Sequence, residues 1–336
     1  MCRMESARLT IPSVLVSYAP MDDARAAMAD ELAGVADLKF WPELGRGTRR
    51  DALGSARAVM TYHPTRELGH EALSALANCG LIQCMTAGID YLPLRELPPH
   101  IPVACNAGAY AEPMAEHVLA MALAGAKRLR IEHAEMQAGA FNQFVPTRQF
   151  AGSVCAILGF GETGRAVGRL MTALGVRVLA VNRSGRTDED VDFIGTLDDL
   201  DAILPQADTV VITLSLTSRT EGLIDARCLK RMKRDAVLVN VARGEIADEE
   251  ALFDHLRANP RFTACLDAWW VEPVRHGRFT TKRPFLDLPN VIASPHNSAM
   301  TDGALVMAAR RGARNVKRLL TGEGPRFLAG DDEKMH

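Results

Sequence analysis

Short apolar runs alternate with stretches of helical spacing, in two successive series. Val14-Leu15-Val16 reads as a strand, followed by helical spacing from Asp22 to Leu32 whose leading acids suit a helix amino terminus. Ala58-Val59-Met60 and Leu81-Ile82-Gln83-Cys84 read as further strands, with a helix from about His70 to Ala77 between them. Pro98-Pro99-His100-Ile101-Pro102 is a rigid loop leading to Val103-Ala104-Cys105. One long apolar helix is expected from about Pro113 to Ala134, with Pro113 in its first turn. Residues 139–150 carry no clear period and read as a connector.

The second series opens with Val154-Cys155-Ala156-Ile157-Leu158, a buried strand, then a helix from Thr163 to Leu174 and a strand from Val176 to Val181. A helix is expected over Leu197–Leu204, strands over Thr209–Thr213 and Ala236–Val241, and a helix over Glu249–Ala258. Ala264-Cys265-Leu266 and Val291-Ile292-Ala293 complete six strands, enough for a doubly wound parallel unit. A last helix, about Thr301 to Leu320, is expected to return to the first series, and residues after Gly322 read as a tail.

A length of 336 residues fits about two such domains, and 48% hydrophobic content lets each bury a core. The formal net charge of -2 gives no global field to recruit nucleic acid or an anionic membrane. The seven cysteines (Cys2, Cys79, Cys84, Cys105, Cys155, Cys228 and Cys265) contain no C-x-x-C pair. They read as reduced thiols in a cytoplasmic protein, with neither a disulfide framework nor a zinc site, and no metal site is expected. Met1 to Thr10 lacks the apolar core of a signal peptide, and Val118 to Ala126 falls far short of the ~20 residues of a membrane span.

The first candidate chemistry is the turn Gly159-Phe160-Gly161-Glu162-Thr163-Gly164, set between a buried strand and an amphipathic helix. A lone G-x-G-x-x-G is weak, but this context is that of a dinucleotide site. Gly159 permits the tight turn, Gly161 lets backbone approach a pyrophosphate, and Gly164 lets helix and strand pack closely. The helix start, with Glu162 and Thr163, offers free N–H groups and a partial positive charge. In NAD-binding folds an acid about 20 residues further on holds the ribose 2′-OH. Here that strand ends in Asn182-Arg183-Ser184-Gly185-Arg186, without an acid. Asn182, Arg183, Ser184 and Arg186 suit a 2′-phosphate, which favours NADP(H) and leaves NAD(H) possible.

Three downstream segments carry a family resemblance: Val239-Asn240-Val241-Ala242-Arg243-Gly244, Leu266-Asp267-Ala268-Trp269-Trp270-Val271-Glu272-Pro273, and Pro289-Asn290-Val291-Ile292-Ala293-Ser294-Pro295-His296. In this order after the glycine turn, the chain from about Leu81 to Met300 resembles the D-isomer-specific 2-hydroxyacid dehydrogenases. The resemblance implies a Rossmann-type doubly wound parallel sheet, residues 112–300, inserted in a flavodoxin-like α/β substrate domain of residues 1–111 and 301–336. It implies a cleft between the two that closes to exclude water, and a homodimer. It implies reversible hydride transfer between NAD(P)(H) and a small 2-keto or 2-hydroxy acid.

The family's Arg, Glu and His fall on Arg243, Glu272 and His296. Arg243 can clamp a carboxylate beside a carbonyl with its planar fork. His296 can exchange a proton with the carbonyl oxygen, and Glu272 beside it favours the imidazolium. Cys84-Met85-Thr86-Ala87-Gly88-Ile89-Asp90 resembles the family's substrate loop, which implies that backbone amides of Ala87 and Gly88 hold the substrate carboxylate. Asp267 matches a position near the nicotinamide amide. His117 resembles a structural helix position, and His63, before Pro64, ends a first-domain strand and could face the cleft.

Four places depart from the family pattern: Asn297-Ser298-Ala299-Met300 after the histidine, serine in Thr213-Leu214-Ser215-Leu216-Thr217 where proline is common, the Trp269-Trp270 pair, and the basic stretch 274–284. The last reads as a solvated loop, with a cover or an anion site as the alternative. Some relatives are nucleotide-sensing corepressors, so a binding protein without significant turnover is the competing class.

Overall fold

The computed structural model describes residues 11–330. The polar stretch 1–10 and the last residues, 331–336, lie outside the described residues. In chain order the first series is β1 (Ser13–Val16), α1 (Asp22–Leu32), β2 (Asp37–Phe40), α2 (Arg46–Ser55), β3 (Ala56–Thr61), the short α3 (Pro64–Glu67) and α4 (His70–Ser74), β4 (Ile82–Cys84) and β5 (Val103–Ala104). Then follow α5 (Ala111–Ala126), α6 (Leu129–Gln137), β6 (Val154–Leu158), α7 (Glu162–Ala173), β7 (Arg177–Val181) and β8 (Phe193–Gly195). The rest is α8 (Leu200–Ile203), β9 (Thr209–Ile212), α9 (Ala226–Arg231), β10 (Val237–Asn240), α10 (Glu249–Ala258), β11 (Thr263–Leu266), α11 (Pro273–His276), β12 (Val291–Ala293) and α12 (Ala304–Leu320). The chain forms two compact units: residues up to Ala109 with those from Asp302 onward, and Tyr110–Thr301.

The first unit is a five-stranded parallel sheet in the order β2-β1-β3-β4-β5, the flavodoxin-like arrangement. Its central strands are buried on both faces, which is why they read as continuous apolar runs. α12 lies against α1 and sends Ala309, Ala313 and Val316 into the core beside Val14, Met60 and Met85. Gly312 lets α12 approach closely, since a Cβ there would meet the Met85 sulfur at 2.9 Å. β2 and α2 escape a reading of apolar periodicity because they are largely polar: Lys and Asp occupy the edge strand, and only Ala52 and Leu53 of α2 are buried.

Residues 323–330 are not a free tail. Cys105 donates its amide to the Phe327 carbonyl at 3.0 Å, and Ala329 donates to the Val103 carbonyl at 2.8 Å. Asn315 of α12 fixes the same segment by exchanging hydrogen bonds with the Arg326 backbone. The segment thereby covers β5, which would otherwise present an unpaired edge.

The second unit is a seven-stranded parallel sheet in the order β12-β11-β10-β9-β6-β7-β8. That is the Rossmann order with one further strand beyond β11. Six strands were legible; β8 is the seventh, three residues long and half exposed. The single helix expected from Pro113 to Ala134 is broken, because Arg128 adopts a left-handed φ of 54° and α6 restarts after it. The Arg128 guanidinium lies 3.6 Å from Glu132 and 3.8 Å from Glu135, which fits this reversal.

Candidate active site

The glycine turn joins the end of β6 to the start of α7. Gly159 has a φ of +105°, and a Cβ on it would meet the Leu214 amide at 2.6 Å. Gly164 faces the Gly159 carbonyl so closely that no side chain fits between them. The Thr213 hydroxyl donates to that carbonyl at 2.7 Å, locking the turn to the end of β9. Gly161 behaves differently: it caps α7 and its Cβ position points into open space. Two glycines therefore make the turn tight and the third keeps its outer face clear, with Glu162 and Thr163 opening the helix. This is the cradle a diphosphate needs at a helix amino terminus.

At the end of β7 the Asn182 side chain is an internal brace. Its oxygen accepts the amides of Ser184 at 3.1 Å and Gly185 at 2.8 Å, and its nitrogen donates to the Arg186 carbonyl at 2.8 Å. The turn so formed leaves Arg183, Ser184 and Arg186 exposed. Arg165 on α7 is paired with Asp188, at 2.6 Å.

Three strand ends bring Arg243, Asp267, Glu272 and His296 together, after β10, β11 and β12. Buried Asn240 shapes the first, donating to the Arg243 carbonyl at 2.8 Å and accepting the Ala242 amide at 3.0 Å. Gly244 presses on the Trp269–Trp270 backbone, where a Cβ would lie 2.7 Å from the Trp269 carbonyl oxygen. Glu272 is 8% exposed and accepts the Trp269 amide at 2.7 Å. Its two oxygens lie 2.8 and 2.7 Å from Nδ1 of His296. Burial opposes the charge on Glu272, but the His296 hydrogen bond and charge, the Trp269 amide and Arg243 outweigh it and hold the carboxyl below its usual range.

His296 has a φ of 52°, a conformation few residues with a side chain adopt. Asp267 enforces it. Its carbonyl accepts the His296 amide at 2.9 Å, while its carboxylate takes the Asn297 amide at 3.1 Å, the Ser298 amide at 3.2 Å and the Ser294 hydroxyl. Asp267 is completely buried; burial opposes its ionisation, yet these donors and the His296 charge hold its carboxyl below the usual range. His117 extends the network, its Nε2 3.1 Å from the Ser294 hydroxyl. The residues after His296 therefore serve as anchors of the loop. The Trp269–Trp270 pair is structural as well, with the indoles donating to the carbonyls of Ser294 and Ala247.

In the first unit the loop with Ala87 and Gly88 leaves β4, Ala87 exposed and Gly88 half-buried. Tyr91 links it to the neighbouring strand end, its hydroxyl 3.2 Å from Thr86 and 3.4 Å from the Tyr62 carbonyl. Tyr18 and Tyr62 meet edge to face at 4.7 Å, so three of the chain's four tyrosines gather at the carboxyl ends of these strands. Beneath them Glu67 accepts the amides of Tyr62 and His63 and the hydroxyls of Ser17 and Thr61. His63 caps α3, and burial and Arg66 lower its pKa. Sequence reasoning missed this tyrosine cluster, since its members lie far apart in the chain and follow no shared motif.

Two basic side chains of the stretch 274–284 are neutralised within the second unit, Arg275 by Glu245 and Arg283 by Glu250, each at 2.6 Å. Among the described residues no cluster of His, Cys, Asp or Glu could hold a metal ion, and no helix is long and apolar enough to cross a membrane. No disulfide joins the described cysteines, and burial pushes the Cys79 thiol up to about 11.

Comparison with known proteins gives a concordant result. Residues 119–298 match the model of the D-isomer specific 2-hydroxyacid dehydrogenase, NAD binding domain. The glyoxylate/hydroxypyruvate reductase B of Pectobacterium carotovorum is 31% identical over 93% of this chain and 96% of its own. The glyoxylate reductase of Thermofilum pendens is 28% identical over 89% of this chain and 88% of its own. Among solved structures, a candidate formate dehydrogenase of Pyrobaculum aerophilum superposes with a TM-score of 0.78 at 29% identity, covering 96% of this chain and 99% of that one. With the glycine cradle and the Arg243, Glu272 and His296 grouping, these matches place the chain in the D-isomer-specific 2-hydroxyacid dehydrogenase family, as a nicotinamide-dependent oxidoreductase acting on CH–OH donors.

Proposed function

We propose that this protein interconverts a small 2-keto acid and its D-2-hydroxy acid, with NADP(H) the favoured cofactor and NAD(H) the alternative. The Glu272–His296 pair carries this reading. Both carboxylate oxygens engage Nδ1 of His296, so the proton available for exchange is the one at Nε2. A nicotinamide, when bound, supplies or accepts the hydride. Arg243 binds the substrate carboxylate and polarises the neighbouring carbonyl. His296 gives its proton to the carbonyl oxygen during reduction and takes it back during oxidation. The backbone amides of Ala87 and Gly88 are assigned to the substrate carboxylate.

On the cofactor side, Gly159, Gly161 and Gly164 with the first amides of α7 cradle the pyrophosphate. Arg183, Ser184 and Arg186 bind the 2′-phosphate on the turn that Asn182 braces. Asp267 serves the nicotinamide side by fixing the loop after β12. A homodimer fits the exposed apolar side chains of Leu129, Met136, Phe141 and Phe144, the last 88% exposed. The buried thiols of Cys79, Cys84, Cys155, Cys228 and Cys265, outside any disulfide, fit a cytoplasmic protein.

Glyoxylate and hydroxypyruvate, which appear in the names of the relatives, are the first substrates to offer. Consumption of NADPH and of NADH is followed with these and with longer 2-keto acids. Turnover that is faster with NADPH supports the proposal. Cofactor binding without turnover on any of them would favour a nucleotide-sensing binding protein.

A further inference from the structure

We infer that His117 is a positioning residue for the loop that carries His296, acting through Ser294 and Asp267. Its effect on turnover rests on the reading of His296 as the proton donor; its effect on the geometry of His296 does not.

The direction of the hydrogen bonds follows from donor and acceptor arithmetic. Asp267 is ionised, so its oxygens only accept. Of the donors that reach it, the amides of Asn297 and Ser298 are fixed by the backbone, the Ser298 side chain adds to them, and the Ser294 hydroxyl gives its single proton. That hydroxyl has no second proton, so the contact of 3.1 Å between it and Nε2 of His117 requires His117 to donate. The chain therefore runs from Nε2–H of His117 to the Ser294 oxygen, and from the Ser294 proton to Asp267. The same His117 nitrogen lies 3.8 Å from an Asp267 oxygen, so a proton on it also faces a buried negative charge.

Ser294 is held on every side. Its amide donates to the Leu266 carbonyl at 2.9 Å, its carbonyl accepts the Trp269 indole at 2.9 Å, and its hydroxyl joins Asp267 and His117. Two residues later His296 sits at its left-handed φ of 52°. A conformation this sparsely populated persists only where the surroundings over-determine it. β11 supplies most of that constraint through Asp267. His117 supplies the part that comes from α5, a helix otherwise bound into the core by Ala115, Val118 and Ala122.

The test uses the full-length protein and the variants His117→Leu, Ser294→Ala, the double variant and His117→Gln. The first readout is the imidazole NMR signals of His296, assigned by their loss in His296→Gln. These should shift or split in His117→Leu and return toward the parent in His117→Gln, which keeps a donor at that height. The second is reduction of glyoxylate by NADPH. Each single change should lower kcat about fivefold, and the double variant should be no worse than about the weaker single one, because both break one chain. NADPH affinity and Tm should stay close to the parent.

Unchanged His296 signals in His117→Leu would overturn the proposal, as would additive losses of about 25-fold in the double variant. So would a kcat loss matched by weaker NADPH binding and a lower Tm, the signature of a merely structural role. If the parent turns over none of the 2-keto acids yet the His296 signals respond as described, the positioning role stands and the proposed reaction fails.

Discussion

The two carboxylate oxygens of Glu272 converge on one nitrogen of His296, at 2.8 and 2.7 Å from Nδ1. One of them also holds the Trp269 amide, so the carboxylate is fixed before it meets the ring. This fixes the orientation of the imidazole ring.

Glu272→Gln keeps the shape and removes the charge. Reduction of 2-keto acids should slow by about 10²-fold, within the range of acid–base contributions. Steady-state kinetics of parent and variant check this; turnover close to the parent's would contradict it.

Stability in acid follows from the same carboxylates. Glu272 and Asp267 titrate below their ordinary values of 4.5 and 3.8 in the folded protein. A depressed pKa means that the folded state binds the proton less readily than the unfolded chain. The stabilisation is therefore fully present above the ordinary value and is lost as pH falls through the depressed one. Urea unfolding midpoints of parent and Asp267→Asn should differ clearly at about pH 6 and draw together as pH falls below the ordinary carboxylate range. A gap that widens toward low pH would reverse the sign.

Gly244→Ala tests the close packing that places Arg243. Its Cβ would meet the backbone at Trp269, which must move aside. Overpacking of this kind costs about 1–3 kcal/mol. With about 2–4 °C of Tm per kcal/mol for a domain of this size, a drop of several degrees is expected in thermal unfolding, together with weakened turnover. An unchanged Tm would show that the strand ends are looser than described.

Cofactor selection should reside in the turn that Asn182 builds. Arg183→Ala combined with Arg186→Ala removes both exposed cations from it. KM for NADPH should rise about tenfold, in keeping with the loss of charge-assisted bonds, while KM for NADH changes little. Equal losses for both cofactors would place the 2′-phosphate elsewhere.

What the sequence disclosed, and what it hid, follows physical lines. Buried parallel strands announce themselves as apolar runs, so β1, β3, β4 and all the strands from β6 onward except β8 were legible. β2, α2 and β8 carry mixed or polar residues at edges and surfaces, where no periodic signal is required. Arg128 broke a helix that composition favoured, because one left-handed residue leaves no trace in hydrophobic pattern. The segment 323–330 looked like a tail because its role is to supply backbone partners to β5, and backbone hydrogen bonds impose little on side-chain identity. Arg243, Glu272 and His296 were legible as types in a familiar order. The network beneath them was less so: His117 and Ser294 are 177 positions apart and meet only through the fold.

The central claim is that His296 exchanges the proton in a nicotinamide-dependent reduction. Parent and His296→Gln are compared for NADPH consumption with hydroxypyruvate, with NADPH affinity measured in parallel by fluorescence. The account predicts turnover by the parent and a loss of about 10²–10⁴-fold in kcat for the variant, with NADPH affinity retained. Turnover by His296→Gln at close to the parent rate would contradict it.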